Sequence, residues 1–156
     1  MKPSIRISET NLPRDAAPFL SFESTATKTV AEVWDLHEFN LDNYLNLGFD
    51  GEGSPIGISL IDSCVYLLDH EFEFDPTYMN RSIQDLLIFI KKYQTHIDRI
   101  NLENGPDSFF ELNYPVGYID ELFEELSKID KSAVSDNSFW GMTLEGDRLD
   151  INTNRT

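Results

Sequence analysis

The sequence predicts an α+β fold in which helices pack on one face of a central antiparallel β-meander. Two observations lead to this prediction: β-prone runs separated by short turns in residues 44–70, and apolar residues at steps of three and four after residue 82. The 156 residues are 40% hydrophobic, which is enough for one hydrophobic core. We therefore expect a single domain over residues 1–156.

Three strands and two turns make up the predicted meander. The first two strands, residues 44–49 and 55–61, flank a glycine-rich turn at residues 50–54. Residues 62–63 form the second turn, and the third strand covers residues 64–70. Apolar residues alternate with small or mixed ones in the second strand, which predicts one strongly apolar sheet face.

The segment before the meander has a less regular pattern. Pro13 opens a predicted helical turn that ends near Leu20, because proline is best tolerated at the first helical position. Residues from Val30 to Phe39 are β-prone and predict a strand or an irregular sheet edge. We expect residues 1–11 to fray.

Two amphipathic helices are predicted after the meander. Ser82 opens a capping box, with an aspartate three positions later, at the start of a helix of about five turns. The second helix covers residues 118–129. Both tryptophans, Trp34 and Trp140, are interpreted as core residues, and residues 147–156 as a frayed tail.

Acidic residues dominate the charge of the chain. Twelve lysines and arginines against 28 aspartates and glutamates give a net charge of -16, and residues 29–80 contain eleven carboxylates but no lysine or arginine. This charge repels nucleic acid and anionic lipid and attracts cationic surfaces. We therefore expect a basic protein partner and no direct binding to nucleic acid or membranes. The alternative is that the acids only keep the protein soluble.

Three features favour a cytoplasmic location. Cys64 is the only cysteine, so no intrachain disulfide is possible. The N-terminal residues carry charges and prolines where a secretion signal needs an unbroken apolar run. No apolar run approaches the ~20 residues of a membrane span. The oligomeric state is left open.

The residue patterns give little support for catalysis or cofactor binding. Residues 69–75 alternate carboxylates with phenylalanines, as an amphipathic sheet edge does, so we expect no metal there. The turn at residues 50–54 matches neither a calcium loop nor a phosphate-binding loop, so we expect no cofactor. We therefore expect that this protein is not an enzyme. The catalytic alternative is a hydrolase that uses Asp69, His70 and Glu71.

Several motifs follow one another in a defined order within about residues 40–100. They are a strand before Asp50-Gly51-Glu52-Gly53, a paired strand, a third strand closed by Asp69-His70-Glu71, and Asn80-Arg81-Ser82 before a long helix. This order resembles the SUKH superfamily, which includes a yeast regulator of cell-wall synthesis and many bacterial immunity proteins. The chain departs from the family at its N-terminus, where only Leu12-Pro13 and Phe19-Leu20 remain of a longer segment that begins with a helix.

The resemblance implies an α+β domain that binds and neutralises a cognate toxin, commonly a nuclease or a nucleic-acid deaminase. Such a toxin needs a basic groove to hold phosphates, and a preformed acidic face complements that groove. A second interpretation within the same family is a regulatory scaffold that binds a cellular protein and has no toxin partner.

Acids on the meander and its turns are the candidate contact residues, because a rigid sheet loses little conformational entropy on binding. The candidates are Asp50, Glu52, Asp69, Glu71, Glu73 and Asp75. The alternative is that backbone geometry alone requires the glycine-rich turn and that these carboxylates are only solvated.

Overall fold

The structure is a computed structural model, and it describes residues 12–23 and 27–154. The chain divides into two compact units, Met1–Leu87 and Ile88–Thr156. The division falls within one continuous helix. The predicted tail at residues 1–11 lies outside the described residues. The predicted α+β class is confirmed.

A six-stranded antiparallel sheet organises the first unit, and each strand pairs with the next in chain order. The strands are β1 (Asp15–Ala16), β2 (Leu20–Phe22), β3 (Tyr44–Phe49), β4 (Pro55–Ser59), β5 (Val65–Asp69) and β6 (Asp75–Asn80). The predicted meander is confirmed as β3 to β5. The sheet extends beyond it by β6 on one side and by β1 and β2 on the other.

The hairpin of β1 and β2 replaces the helical turn predicted at Pro13, and that prediction is wrong. Asp15 pairs with Ser21 across the hairpin, and Ser21 Oγ donates a hydrogen bond to Asp15 Oδ1 at 3.1 Å. Pro18 lies in the connecting turn. Its fixed φ and missing N–H prevent a helix from continuing through it.

A short helix, α1 (Val30–Trp34), replaces the strand predicted from Val30. Thr29 caps this helix, because its Oγ1 accepts a hydrogen bond from Glu32 N at 3.2 Å. Asp35 ends the helix with a left-handed backbone, φ 50°. A good N-cap contributes about 1 kcal/mol, and here the helix forms despite the β propensity of the valines.

Close packing of β2 against β3 requires glycine at position 48. A Cβ atom at Gly48 would lie 1.9 Å from the carbonyl oxygen of Ser21 and 2.9 Å from Cα of Phe22. The register also shifts between Asn46 and Gly48 on the other side of β3. Gly48 therefore holds the first hairpin against the meander.

Helix α1 packs on the sheet through an apolar cluster. The buried members of this cluster are Val30, Ala31, Leu41, Leu68 and Phe74, and the half-buried Leu36, Tyr44 and Tyr66 pack against it. The burial of these side chains fixes the position of α1 relative to β3 and β5, and it leaves the C-terminal end of α1 near the turn after β5.

Three longer helices follow the sheet: α2 (Ile83–Asn104), α3 (Gly117–Ile129) and α4 (Phe139–Asn154). Ser82 caps α2 as predicted, because its Oγ accepts a hydrogen bond from Asp85 N at 3.1 Å. The carboxylate of Asp85 accepts from Arg81 at 2.7 Å. No helix of the described residues is long and apolar enough to cross a membrane.

An aromatic core holds the second unit together. Trp140 is fully buried and its ring centroid lies 5.7 Å from that of Phe89 and 5.8 Å from that of Tyr93, so the prediction of a core position is confirmed for Trp140. The predicted fraying from residue 147 is wrong as far as Asn154. Helix α4 continues to that residue because Ile151 is fully buried.

Candidate partner-binding surface

Three turns lie at the same end of the sheet. In an antiparallel meander the connections alternate between the two ends, so the turns after β1, β3 and β5 share one end. Phe19 of the first turn approaches Gly51 of the second: a Cβ atom at Gly51 would lie 2.8 Å from Cβ of Phe19. All six candidate acids lie in or beside the second and third turns.

Asp50 organises the turn between β3 and β4. Its Oδ1 accepts hydrogen bonds from Glu52 N at 3.0 Å and Ser54 N at 2.9 Å. Asp69 has the same role in the next turn, where its Oδ1 accepts from Glu71 N at 3.0 Å. These two carboxylates therefore fix the backbone of the turns and are half-buried.

A side-chain contact joins the two turns. Ser54 Oγ lies 2.7 Å from Nδ1 of His70 and accepts a hydrogen bond from His70 N at 3.2 Å. Ser54 is only 2% exposed. Residues 50–54 and 69–75 consequently form one continuous surface, which we call the turn surface.

Four carboxylates of the turn surface are exposed, namely Glu52, Glu71, Glu73 and Asp75. Within the part of the chain that the structure describes, none of the four side chains has a hydrogen bond or an ion pair. The structure thus brings the six predicted acids together but divides them into two groups. Asp50 and Asp69 build the turns, and the other four carry unpaired charge.

The proposed hydrolase residues form no hydrogen-bonded constellation. Asp69 is occupied by the backbone of Glu71, and His70 by the buried Ser54. A serine that is almost fully buried cannot meet a substrate, so the Ser54–His70 pair is a structural contact. The described residues contain no group of three or more His, Cys, Asp or Glu arranged to hold a metal.

Exposed aromatic side chains adjoin the turn surface, and their exposure was not predicted from the sequence. Trp34 is 39% exposed and Phe39 is 41% exposed, so the core position predicted for Trp34 is wrong. Both rings contact the buried Phe74, with centroids 5.1 Å and 5.7 Å from it. The Trp34 ring also lies 6.0 Å from His70. We call Trp34, Phe39 and Phe74 the aromatic patch.

A sequence signal for this patch exists in the neighbours of its members. Asp35 follows Trp34, Glu38 precedes Phe39 and Glu73 precedes Phe74 in the sequence. A carboxylate next to an aromatic residue is costly to bury, so it favours a position of this part of the chain near the surface. The spacing of residues in the sequence, however, does not distinguish an exposed ring from a core ring, because the exposure of a ring depends on its tertiary contacts.

Asp62 lies at the opposite end of the sheet, between β4 and β5. Partial burial disfavours its charge, but hydrogen bonds from Tyr66 Oη at 2.7 Å and Cys64 N at 2.8 Å lower the pKa of this carboxyl. Burial and the same hydrogen bond raise the pKa of Tyr66. Asp62 is therefore internally satisfied, unlike the four exposed acids of the turn surface.

Ion pairs occupy many carboxylates of the second unit. Arg99 pairs with Glu103 and Glu121, and Lys92 pairs with Glu125 at 3.4 Å. A further pair joins Arg148 to Asp120 at 2.6 Å. A groove of about 340 Å³ between α2 and α3 is lined by these paired side chains of α2 and by their partners on α3, so its charges largely neutralise one another.

Burial shifts the pKa of Asp147, which is half-buried, and of His96, which is buried. Burial raises the pKa of Asp147 to about 6, although Tyr93 Oη donates a hydrogen bond to it at 2.8 Å. Burial and the nearby Arg99 lower the pKa of His96 to about 4. Nε2 of His96 has no hydrogen-bond partner among the described residues. In both groups, burial therefore disfavours the charged form relative to the same group in water.

No protein-family model, curated protein or solved structure matches the chain. The resemblance to the SUKH superfamily therefore stays a prediction from the order of the motifs.

Proposed function

We propose that this chain is an immunity-type protein that binds a basic cognate toxin and blocks the groove in which the toxin holds nucleic acid. One observation carries the proposal: four carboxylates of the turn surface are exposed, lie on short turns and are unpaired within the described chain. The exposed acids support a basic partner, and the order of motifs that resembles the SUKH superfamily supports a toxin as that partner.

Charge complementarity gives the physical basis of this inhibition. A nuclease or deaminase uses lysine and arginine to bind phosphates, and the four exposed carboxylates of the turn surface offer negative charge to the same groove. Long-range attraction steers the two proteins together and raises the association rate. Occlusion of the groove then needs neither a catalytic group nor a cofactor on this chain.

Preorganisation supports the same role. The backbone of the turn surface is already fixed by Asp50, Asp69 and the Ser54–His70 contact. Binding therefore orders only the exposed side chains, and each long side chain that is immobilised costs about 1 kcal/mol. An acidic tail that folds on binding pays a larger entropic penalty.

Because the resemblance implies a toxin that is encoded next to this chain, the test is complex formation with the product of the adjacent gene. A variant in which the four exposed acids are neutralised is expected to bind weakly and to lose protection of cells that express the toxin. The substitutions are Glu52→Gln, Glu71→Gln, Glu73→Gln and Asp75→Asn. Isothermal titration calorimetry and survival of co-expressing cells measure the two effects.

A charge-matched control removes four exposed acids from the second unit instead. Its substitutions are Asp98→Asn, Asp107→Asn, Glu124→Gln and Asp136→Asn. We expect this control to bind and protect almost as well as the parent. Equal protection by both variants would show that the turn surface is not the contact. An adjacent gene that encodes no toxin, together with binding to a basic cellular protein, would favour the regulatory scaffold.

A further inference from the structure

Exposed aromatic rings beside unpaired acids form a chemically specific surface. The Trp34 and Phe74 rings meet edge to face, with an interplanar angle of 84°, and the Phe39 ring also contacts Phe74, at a centroid distance of 5.7 Å. The solvent-facing area of Trp34 and Phe39 is thus held by a buried ring and does not collapse. Such rigid aromatic area is typical of residues that dominate binding energy.

The carboxylates next to these rings in sequence are also unpaired. Asp35, Glu38 and Glu73 are exposed, and their side chains have no hydrogen bond or ion pair within the described part of the chain. Asp35 and Glu73 both have left-handed backbones, with φ 50° and 56°. Each aromatic residue of the patch therefore has an exposed carboxylate as its neighbour in sequence.

We propose that the aromatic patch receives an arginine side chain from a basic protein partner, with the guanidinium stacked on Trp34 and paired with the adjoining carboxylates. The inference rests on the proposed function for the partner's basic character. It adds which residue type of the partner is recognised.

Arginine fits this surface better than lysine for two physical reasons. Its planar guanidinium stacks on an aromatic face and donates hydrogen bonds in the ring plane to carboxylates at the same time. It is also more weakly hydrated than an ammonium group, so contact with apolar rings costs less. A lysine ammonium gains from the charge but less from the ring.

Fluorescence titration with two synthetic probes tests the proposal on the full chain. The probes are deca-arginine and deca-lysine, which carry equal charge. Trp34 is exposed, whereas Trp140 is fully buried, so a change in red-shifted emission reports on Trp34. We expect the parent to bind deca-arginine roughly two- to five-fold more tightly than deca-lysine, the range that a stacking contact at an exposed site supports.

Substitutions at Trp34 separate stacking from charge. Trp34→Leu keeps apolar volume against Phe74 and is expected to remove the preference for arginine, whereas Trp34→Phe is expected to retain part of it; calorimetry replaces fluorescence for both variants. The exposed Phe110 of the second unit provides a control, and Phe110→Leu is expected to leave the preference unchanged. Circular dichroism checks that each variant is folded.

Two results would overturn the inference: equal affinity of the parent for both peptides, and an arginine preference that survives in Trp34→Leu. The proposed function is judged separately, with the product of the adjacent gene. If that protein binds Trp34→Leu as tightly as the parent but loses affinity when the turn-surface acids are neutralised, arginine stacking is wrong and the immunity role stands.

Discussion

Carboxylates have different surroundings in the two units of this molecule. In the first unit, Glu52, Glu71, Glu73 and Asp75 stand on turns and form no ion pair within the described part of the chain. In the second unit, arginine and lysine side chains pair with acids on facing helices. Both units carry exposed acids, but among the described residues ion pairs are more frequent in the second unit.

This difference separates charge that stabilises the fold from charge that is available to a partner. Exposed ion pairs contribute at most about 1 kcal/mol each, and unpaired like charges on adjacent turns repel one another. The four exposed acids of the turn surface therefore add nothing to the stability of the isolated protein. We infer that binding, and not folding, accounts for these four acids.

The largest expected effect concerns pH and two groups of the second unit whose pKa values burial shifts, Asp147 and His96. The raised pKa of Asp147, about 6, adds stability at low pH that is lost as the pH rises through 6. The lowered pKa of His96, about 4, adds stability above about pH 6.5 that is lost as the pH falls through 4. Each effect amounts to about 3 kcal/mol at most, and between pH 4 and 6 they oppose each other.

Substitution of either group is expected to reveal the pH dependence of stability that the other group contributes. Relative to the parent, Asp147→Asn loses stability as the pH falls from 6 to 4, and His96→Gln gains stability over the same interval. Urea unfolding at pH 4.5 and pH 7 measures both differences. Parallel pH profiles for the parent and both variants contradict the burial of these groups.

An intermediate effect distinguishes the two groups of acids in the turn surface. Asp50→Ala removes two hydrogen bonds to the turn backbone, and we expect a loss of about 1–2 kcal/mol in the free energy of unfolding. Glu52→Ala, two residues away and unpaired, is expected to change stability by less than about 0.5 kcal/mol. Chemical denaturation compares the two variants, and equal losses contradict the assigned roles.

A smaller effect than that of Asp50→Ala is expected for an ion pair of the second unit. Asp120→Asn breaks the contact with Arg148, and we expect less than about 1 kcal/mol of destabilisation because the Asp120 side chain is 58% exposed. Its affinity for the partner is expected to equal that of the parent. A large loss of binding in Asp120→Asn would place the contact surface on the second unit and would contradict the contrast between the acids of the two units.

Local rules were sufficient to predict the meander. A glycine-rich turn between two apolar strands specifies a hairpin, and Ser82 with Asp85 specifies a helix start; the structure confirms both. The structure ends β5 at Asp69 because this side chain caps a short 3₁₀ turn, His70–Phe72. The alternation of residues 69–75 predicts a continuous edge and does not reveal that turn.

Long-range contacts account for what the sequence did not predict. Trp34 and Trp140 are the same residue type in apolar surroundings, yet only Trp140 is enclosed, by Phe89 and Tyr93. The strand order was sufficient to predict that the six acids lie at one end of the sheet. Their division into structural and unpaired acids was not, because it depends on hydrogen bonds to individual backbone amides.

The most direct test of the central claim is the salt dependence of the association rate with the product of the adjacent gene, measured by stopped flow. For the parent and the second-unit control, we expect fast association that falls steeply with ionic strength. For the variant with the four turn-surface acids neutralised, we expect slow association with a shallow dependence on salt. An unchanged rate and salt slope in that variant would contradict the claim that unpaired acids of the turn surface recruit the partner.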